Sequence, residues 1–276
     1  MISRRAFAVF TASVLVPVAA FAQSRDGVRR VGVLMPNSAA DPSMQHRAAA
    51  LIEGFAALGW REGNDIRIEW RWAAGDPILF ERYAGELVGS SPEVLVAGGS
   101  LATKRLQSHT KTIPIVFVHV TDPVGQGFVG SMVRPGGNIT GFTIYDPPMA
   151  GKWLELLTEI SPRVDAVAVL FNPETTPYAS LYLDVLRNNA SASAVAVEPA
   201  PCHDDAEIEA VVARLAQARG GLMVLPNAFS DLHRDAIISL AARYHRPAVY
   251  PDRHFTRSRW IDVVWRRTVG SLSAGG

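Results

Sequence analysis

Short polar side chains follow the apolar runs of this sequence, at the points where a strand would end and a helix would begin. The set comprises Asn37, Ser38, Ser100, Thr121, Asp122, Asn172, Glu174, Thr175 and Asn227. Hydroxyl and amide groups, together with the backbone N–H groups of a helix N-terminus, suit a carboxylate. An acidic side chain opposite them suits an ammonium group. The set therefore predicts a site for a small zwitterion, in which Asp122 contacts the ammonium group.

Helix capping is the alternative role for each of these residues taken singly. Serine, asparagine and aspartate are common at helix N-termini, because their side-chain oxygens accept hydrogen bonds from the first backbone N–H groups. Convergence of the whole set on one cleft favours ligand binding over capping. The interpretation therefore depends on the elements that position these residues.

Motifs that carry catalysis or bind a nucleotide are absent from the sequence. It contains no G-x-x-x-x-G-K-[ST], H-E-x-x-H or G-x-S-x-G motif, and Gly125–Gly127 lacks the third glycine of a dinucleotide fingerprint. The seven histidines show no metal-ligand spacing. His119 stands apart because it ends a predicted strand beside Thr121, where it either faces the ligand or serves a structural role. We expect a binding protein rather than an enzyme, with no cofactor and no metal.

Composition excludes further classes of function. The 276 residues are 48% hydrophobic and 19% charged, which is typical of a globular protein with a buried core. The net charge of +1 offers no electrostatic footprint for nucleic acid. With Cys202 as its one cysteine, the chain cannot form an internal disulfide or a thiolate zinc site. We expect a monomer that is held together by packing alone.

The first 22 residues have the pattern of a secretory signal peptide. Arg4 and Arg5 precede an apolar run that is too short to span a bilayer, and Ala20–Ala22 forms a small-x-small cleavage site. We expect export to the periplasm with cleavage after Ala22. The paired arginines leave both the Sec and the twin-arginine routes open. A buried N-terminal helix is the alternative, although Pro17 would break it.

The rest of the chain alternates between strand and helix patterns and does so twice. Strands are predicted at residues 31–35, 66–72, 94–97 and 113–120, and again at 166–171, 195–197, 222–225 and 248–250. Helices are predicted between them, at residues 80–88, 101–108, 152–160, 178–189, 204–219 and 231–244 and in a first helix that opens at Asp41. Residues 122–141 are rich in glycine and proline and are predicted to be a connection.

This repeated layout predicts an α/β protein with two lobes, each a Rossmann-like parallel sheet, joined by the glycine- and proline-rich connection. The first lobe would cover residues 28–142 and the second residues 143–255. Strand–helix–strand repeats form parallel sheets with right-handed crossovers. Ligands of open α/β sheets bind beyond the carboxyl ends of the strands. The polar set should therefore meet in a cleft between the lobes.

Five segments carry a family resemblance: Leu58–Asn64, Ile68–Ala73, Ile113–Phe117, Asp122–Gly125 and Arg134–Gly141. They resemble the substrate-binding proteins of ABC transporters, in the branch associated with tryptophan and tyrosine uptake, within a match from about Arg29 to Phe255. The resemblance implies a type I periplasmic-binding fold, a hinged cleft, a membrane permease as partner and no catalysis. By position, Ser100, Asp122 and Asn172 match segments that line the cleft of that family. An exported ligand sensor for a membrane kinase or chemoreceptor is the alternative, and neighbouring permease and ATPase genes would separate the two.

The tail at residues 256–276 departs from the family pattern, which continues after Phe255 with Gly-Gly-Leu-Met-Ser-Tyr-Gly and a helix. One permitted codon choice for Arg259–Gly276, read one base later, translates as that motif followed by Glu-Leu-Ser-Asp-Leu-Tyr-Arg-Arg-Ala. We infer a frameshift near residues 257–259, with a divergent tail as the alternative. In the family, the segment after Phe255 should supply a second crossing between the lobes and the final helices. Its replacement by the present tail is therefore expected to weaken folding and binding.

Overall fold

The computed structural model describes residues 27–193, 195–252 and 255. The predicted signal peptide and the tail after Phe255 lie outside these residues. In the described part of the chain, no helix combines the length and the apolar character that crossing a membrane requires.

Two parallel sheets form the protein. The first contains β1 (Arg29–Met35), β2 (Ile66–Trp72), β3 (Val94–Gly98), β4 (Ile115–Thr121) and β5 (Ile139–Tyr145), in the order β2-β1-β3-β4-β5. The second contains β6 (Ala166–Phe171), β7 (Ala196–Pro201), β8 (Gly220–Val224) and β9 (Ala248–Val249), in the order β7-β6-β8-β9. All the strand pairs in both sheets are parallel. The predicted α/β class with two parallel-sheet lobes is therefore confirmed.

Helices connect the strands and cover the sheets. The first lobe has α1 (Pro42–Ala57), α2 (Pro77–Gly89) and α3 (Gly99–His109). The second has α4 (Met149–Ile160), α5 (Ala179–Ser193), α6 (Asp205–Gln217), α7 (Ala228–Leu232) and α8 (Arg234–Arg243). The helix predicted at residues 231–244 is thus two helices that meet at His233. The earlier of them is capped by Asn227, whose side-chain oxygen accepts a hydrogen bond from Ser230 N at 2.8 Å.

Strand β5 is the element that the sequence pattern missed. It begins inside the segment predicted to be a connection, and it pairs with β4 in parallel. It also continues to Tyr145, three residues beyond the boundary predicted after residue 142, so the first sheet extends past that boundary. The chain then passes into the second lobe between Tyr145 and Met149, where α4 begins.

The core of each lobe lies on both faces of its sheet. In the first lobe, α2 and α3 cover one face with Phe80, Leu87 and Leu106, and α1 packs on the other face through Met44 and Leu51. In the second lobe, α4 and α5 cover one face and α6 and α8 cover the other. Burial of both faces explains why the central strands read as continuous apolar runs in the sequence.

Candidate functional site

A cavity of about 400 Å³ lies between the two lobes, at the carboxyl ends of the strands. The first lobe supplies an apolar wall. Its members include Val33, Met35, Leu51, Trp70, Phe80, Val96 and Val118. The second lobe supplies Thr175, Tyr178 and Asn227 together with the acidic residues Asp231 and Asp252. The volume and the mainly apolar lining with a few polar groups are typical of a site for a small organic molecule.

Four of the residues predicted from the sequence line this cavity. They are Ser100, Thr121, Thr175 and Asn227. Ser100 and Thr121 are held by one side chain from the connecting segment, since Gln126 Nε2 donates to Ser100 Oγ at 2.9 Å and also to the Thr121 carbonyl. Asn227 caps α7 and lines the cavity at the same time, so capping and ligand contact are compatible at that position.

The other five predicted residues lie outside the cavity lining, and three of them organise turns around it. Asn172 Oδ1 accepts hydrogen bonds from the backbone N–H groups of Glu174 and Thr175, each at 3.0 Å, and its Nδ2 donates to the Cys202 carbonyl at 3.1 Å. Asn172 therefore shapes the turn that brings Thr175 to the cavity. The Glu174 side chain is not among the lining groups.

Asp122 also has a local role. Its Oδ1 accepts a hydrogen bond from Gly125 N at 2.8 Å, and its backbone has a φ of 37°. Ser38 Oγ similarly accepts from Ala40 N at 3.2 Å. Asn37 is 1% exposed, and neither polar atom of its side chain has a hydrogen-bond partner within the part of the chain that the structure describes.

Three charged side chains line the cavity although the sequence analysis did not select them. That analysis chose polar residues that directly follow a predicted strand, which we call the strand-end rule. Arg47 comes from α1, Asp231 from α7 and Asp252 from the segment after β9. Asp252 does follow a strand, so the same rule applied to β9 would have found it. Arg47 lies in mid-helix and carries no local signal of this kind.

Tyr145 lies within electrostatic reach of all three of these charged side chains. Its hydroxyl donates to Asp252 Oδ2 at 3.3 Å, a contact that joins β5 of the first lobe to the second lobe. Burial, followed by the negative charges of Asp252 and Asp231, holds the pKa of Tyr145 well above its ordinary value, and the positive charge of Arg47 opposes them. One phenol therefore lies within electrostatic reach of two carboxylates and one guanidinium group.

An aromatic cluster packs behind the cavity where the lobes meet. Trp153 of α4 stacks on Tyr182 of α5, with ring centroids 5.8 Å apart and planes 8° from parallel. The Tyr182 hydroxyl lies 3.5 Å from Thr121 Oγ1 of the first lobe, and burial raises the pKa of Tyr182 to about 12. Tyr178 lines the cavity beside this cluster and donates to the Pro226 carbonyl. The cluster supports the junction between the lobes.

A bulge interrupts the pairing of β4 with β5 next to the cavity. Successive paired residues are Val118–Phe142, Val120–Thr143 and Thr121–Tyr145. His119 is therefore an extra residue on β4, and Ile144 is an extra residue on β5 that restores the register. His119 has a φ of 58°, in the left-handed region that costs a non-glycine residue roughly 1–2 kcal/mol.

The bulge changes which side chains face the cavity. In a regular strand, successive side chains alternate between the two faces. Phe117 faces the core under α3 and Val118 faces the cavity, so alternation would send His119 and Thr121 to the core. Instead Val120 is fully buried in that core, while both His119 and Thr121 line the cavity. The bulge thus places two polar residues in the cavity lining where a regular strand would place one valine.

The architecture and the cavity define a class of protein. Two parallel α/β lobes share one interlobe cleft, as in a type I periplasmic binding protein. Across residues 27–193, 195–252 and 255, no cluster of three or more histidine, cysteine, aspartate or glutamate side chains could hold a metal ion. The site has the composition of a binding site for an organic molecule.

Comparison with known proteins assigns the family. The family model described as ABC transporter substrate binding protein matches residues 30–257, and the chain belongs to that family. The family and its structural relatives are ligand-binding proteins rather than enzymes.

Individual relatives share the fold or part of the sequence. A conserved domain protein from Vibrio cholerae O1 biovar El Tor is 25% identical with a TM-score of 0.75, over 91% of this chain and 86% of that one. An ABC domain from Streptococcus pneumoniae in complex with L-Trp has a TM-score of 0.69 at 20% identity, over the same shares of 91% and 86%. A tyrosine-binding protein of Clostridioides difficile (strain R20291) is 29% identical over 131 residues, 48% of this chain. The chain covers only 37% of the length of that curated relative.

Proposed function

We propose that this protein is the periplasmic solute-binding component of an ABC importer, and that it binds an aromatic amino acid between its lobes. The observation that carries the proposal is the distribution of charge across the cavity. The first lobe contributes Arg47 and the second contributes Asp231 and Asp252. A zwitterion presents one group of each sign and would satisfy both sides at once.

The first lobe offers a second feature that suits a carboxylate. Helix α3 begins at Gly99 in the cavity lining, after Gly98, and no side chain caps its first turn in the part of the chain that the structure describes. By contrast, Asp41 and Asp76 cap α1 and α2. Uncapped backbone N–H groups carry the positive end of the helix dipole and favour an anion.

The remaining walls suit an aromatic side chain. Trp70, Phe80 and Tyr178 line the cavity, and Trp70 is held by a stack on Trp72 with ring centroids 5.5 Å apart. Offset and edge-on aromatic contacts add to the free energy gained by burying the rings. The names of two relatives, one a tyrosine-binding protein and one in complex with L-Trp, point to the same ligand class.

Importer function requires a membrane permease that receives the ligand, and we propose such a permease as the partner. Closure of the lobes about the crossing between Tyr145 and Met149 would bury the ligand and signal the loaded state. The exported sensor is the competing assignment, because it would use the same fold and the same closure. Ligand-dependent association with a purified permease, rather than with a kinase or chemoreceptor, would distinguish the two.

A thermal-shift measurement with L-tryptophan and L-tyrosine tests ligand binding. A ligand that binds only the native state at 100 times its Kd stabilises it by about 2.7 kcal/mol. For a chain of this size we expect the Tm to rise by about 5–10 °C. L-Alanine, which lacks the ring, and 3-phenylpropionate, which lacks the ammonium group, should raise the Tm far less. Equal shifts for all four compounds, or none with either aromatic amino acid, would contradict the proposal.

Replacement of Asp122 by asparagine tests whether this residue contacts the ligand, as its position after a strand predicts, or lies outside the site, as its absence from the cavity lining indicates. The strand-end rule predicts a loss of affinity of about tenfold, as expected for a lost charged hydrogen bond. The position of Asp122 supports a smaller change, within about twofold, because an asparagine oxygen can still accept the hydrogen bond from Gly125 N. Isothermal titration of parent and variant with L-tryptophan decides between them. A tenfold loss of affinity for L-tryptophan would indicate that Asp122 contacts the ammonium group of the ligand.

A further inference from the structure

We propose that His119 contacts the carboxylate of the ligand, and that the bulge in β4 presents its imidazole for this contact. The inference rests on the proposed function, since it assigns a residue to one end of the amino acid. It adds a ligand-contacting residue that neither the family match nor the relatives identify.

The first line of support is the place of His119 in the cavity lining. His119 lines the cavity, although strand alternation from Phe117 and Val118 would bury it in the core beneath α3. The extra residue on β4 reverses the alternation at this one point. Thr143 Oγ1 donates to the Val120 carbonyl at 2.8 Å and so holds the rearranged backbone from the neighbouring strand. The bulge is therefore a fixed feature of the sheet.

The second line of support is the type of residue at the bulge. A φ of 58° is adopted most easily by glycine, and glycine is the common residue at bulges of this conformation. A bulge needed only to bend the strand would be better served by glycine. Histidine accepts the unfavourable conformation and places an imidazole in the cavity. Strained backbone of this kind is concentrated at binding and active sites.

The third line of support is the set of groups around His119, which indicates that His119 contacts the carboxylate of the ligand rather than the ammonium group. Gly98 of β3 pairs with Val118 of β4, so Gly99 and His119 each come one residue after the last pair between these two strands. Gly99 begins α3, whose first turn favours an anion, and Ser100 follows it in the cavity lining. Asp231 and Asp252 come from the opposite lobe. An imidazole N–H next to the start of α3 would donate to the carboxylate, leaving the ammonium group to the two aspartates.

The test replaces His119 by glycine, which keeps the backbone conformation and removes the imidazole. The affinity for L-tryptophan and L-tyrosine, measured by isothermal titration, should fall by about tenfold, as for a lost hydrogen bond to a charged group. The Tm of the ligand-free variant should change little, because glycine adopts this backbone conformation without strain. A structural histidine would produce the reverse: a lower Tm and an unchanged affinity.

His119→Asn is the matched variant, because asparagine tolerates the left-handed region and retains a side-chain N–H donor. We expect it to bind within about threefold of the parent, and it keeps the proposal testable if the glycine variant fails to fold. Binding of His119→Gly within twofold of the parent, or a tenfold loss in His119→Asn as well, would overturn the role of the imidazole N–H. A parent protein that binds neither amino acid would instead contradict the proposed function, and this inference with it.

Discussion

Replacing Asp231 by asparagine should raise the Kd for L-tryptophan by roughly tenfold to a hundredfold. Asp231 lines the cavity from α7, and its negative charge helps to raise the pKa of the half-buried Tyr145. A hydrogen bond between charged groups contributes about 1.5–3 kcal/mol, and each 1.4 kcal/mol corresponds to a factor of ten in Kd. The asparagine amide has a similar size, so the change removes charge with little effect on packing.

The measurement is isothermal titration of both proteins with L-tryptophan and with 3-indolepropionate, which lacks the ammonium group. Loss of the negative charge should weaken binding of the amino acid, but it should leave binding of the deaminated compound unchanged or improved. Asp235→Asn is the control, since Asp235 lies on α8 with 82% of its side chain exposed. Equal losses for both ligands would mean that Asp231 supports the fold of the cleft and does not contact the ammonium group.

Replacing Gly141 by alanine should destabilise the protein by about 3 kcal/mol or more. A Cβ atom at this position would lie 2.1 Å from the Phe117 carbonyl oxygen and 2.6 Å from Cγ of the same residue. The oxygen belongs to the backbone of β4, so the clash can be relieved only by separating β5 from β4. Overpacking of a core commonly costs about 1–3 kcal/mol, and a backbone collision lies at or above the upper end. For a domain of this size the Tm should fall by about 6–12 °C.

Gly137→Ala provides the matched control for this variant. Gly137 lies four residues earlier in the same segment, and apart from its chain neighbours no atom of the residues that the structure describes lies within 4 Å of the Cβ position there. Thermal unfolding should therefore distinguish the two alanine variants clearly. Because β5 ends at Tyr145, the Gly141 variant should also bind L-tryptophan more weakly. Equal Tm values for Gly141→Ala and Gly137→Ala would show that β4 and β5 are not packed as described.

The sequence predicts those strands that are buried on both faces, because such strands appear as continuous runs of apolar residues. The central strands β1, β3, β6 and β8 are covered on both faces, and each appears as a short apolar run. Strand β5 was not predictable in this way. It is an edge strand with Phe142 72% exposed, and Gly141 within it reads as part of a glycine-rich connection. Its place is determined by pairing with β4, which is a tertiary interaction.

A site residue could be predicted from the sequence only where its position just after a strand is enough to place it in the cavity lining. Ser100 and Thr175 come shortly after buried strands and do line the cavity. Asp122 has the same kind of position in the sequence, yet its carboxylate binds the local backbone at Gly125. Position along the chain locates a residue at the edge of a sheet, but it does not determine the direction of the side chain.

The sequence alone therefore determined the class of this protein: alternating apolar runs require two parallel sheets, and parallel sheets present their carboxyl ends to a common cleft. The tertiary structure decided which groups enter that cleft. Arg47, Asp231 and Asp252 meet there from α1, α7 and the end of β9, although no local pattern links them. At His119, one extra residue reverses the side-chain alternation of β4. The physical reason is that burial patterns are local and periodic, whereas the direction of a polar side chain depends on packing between distant segments.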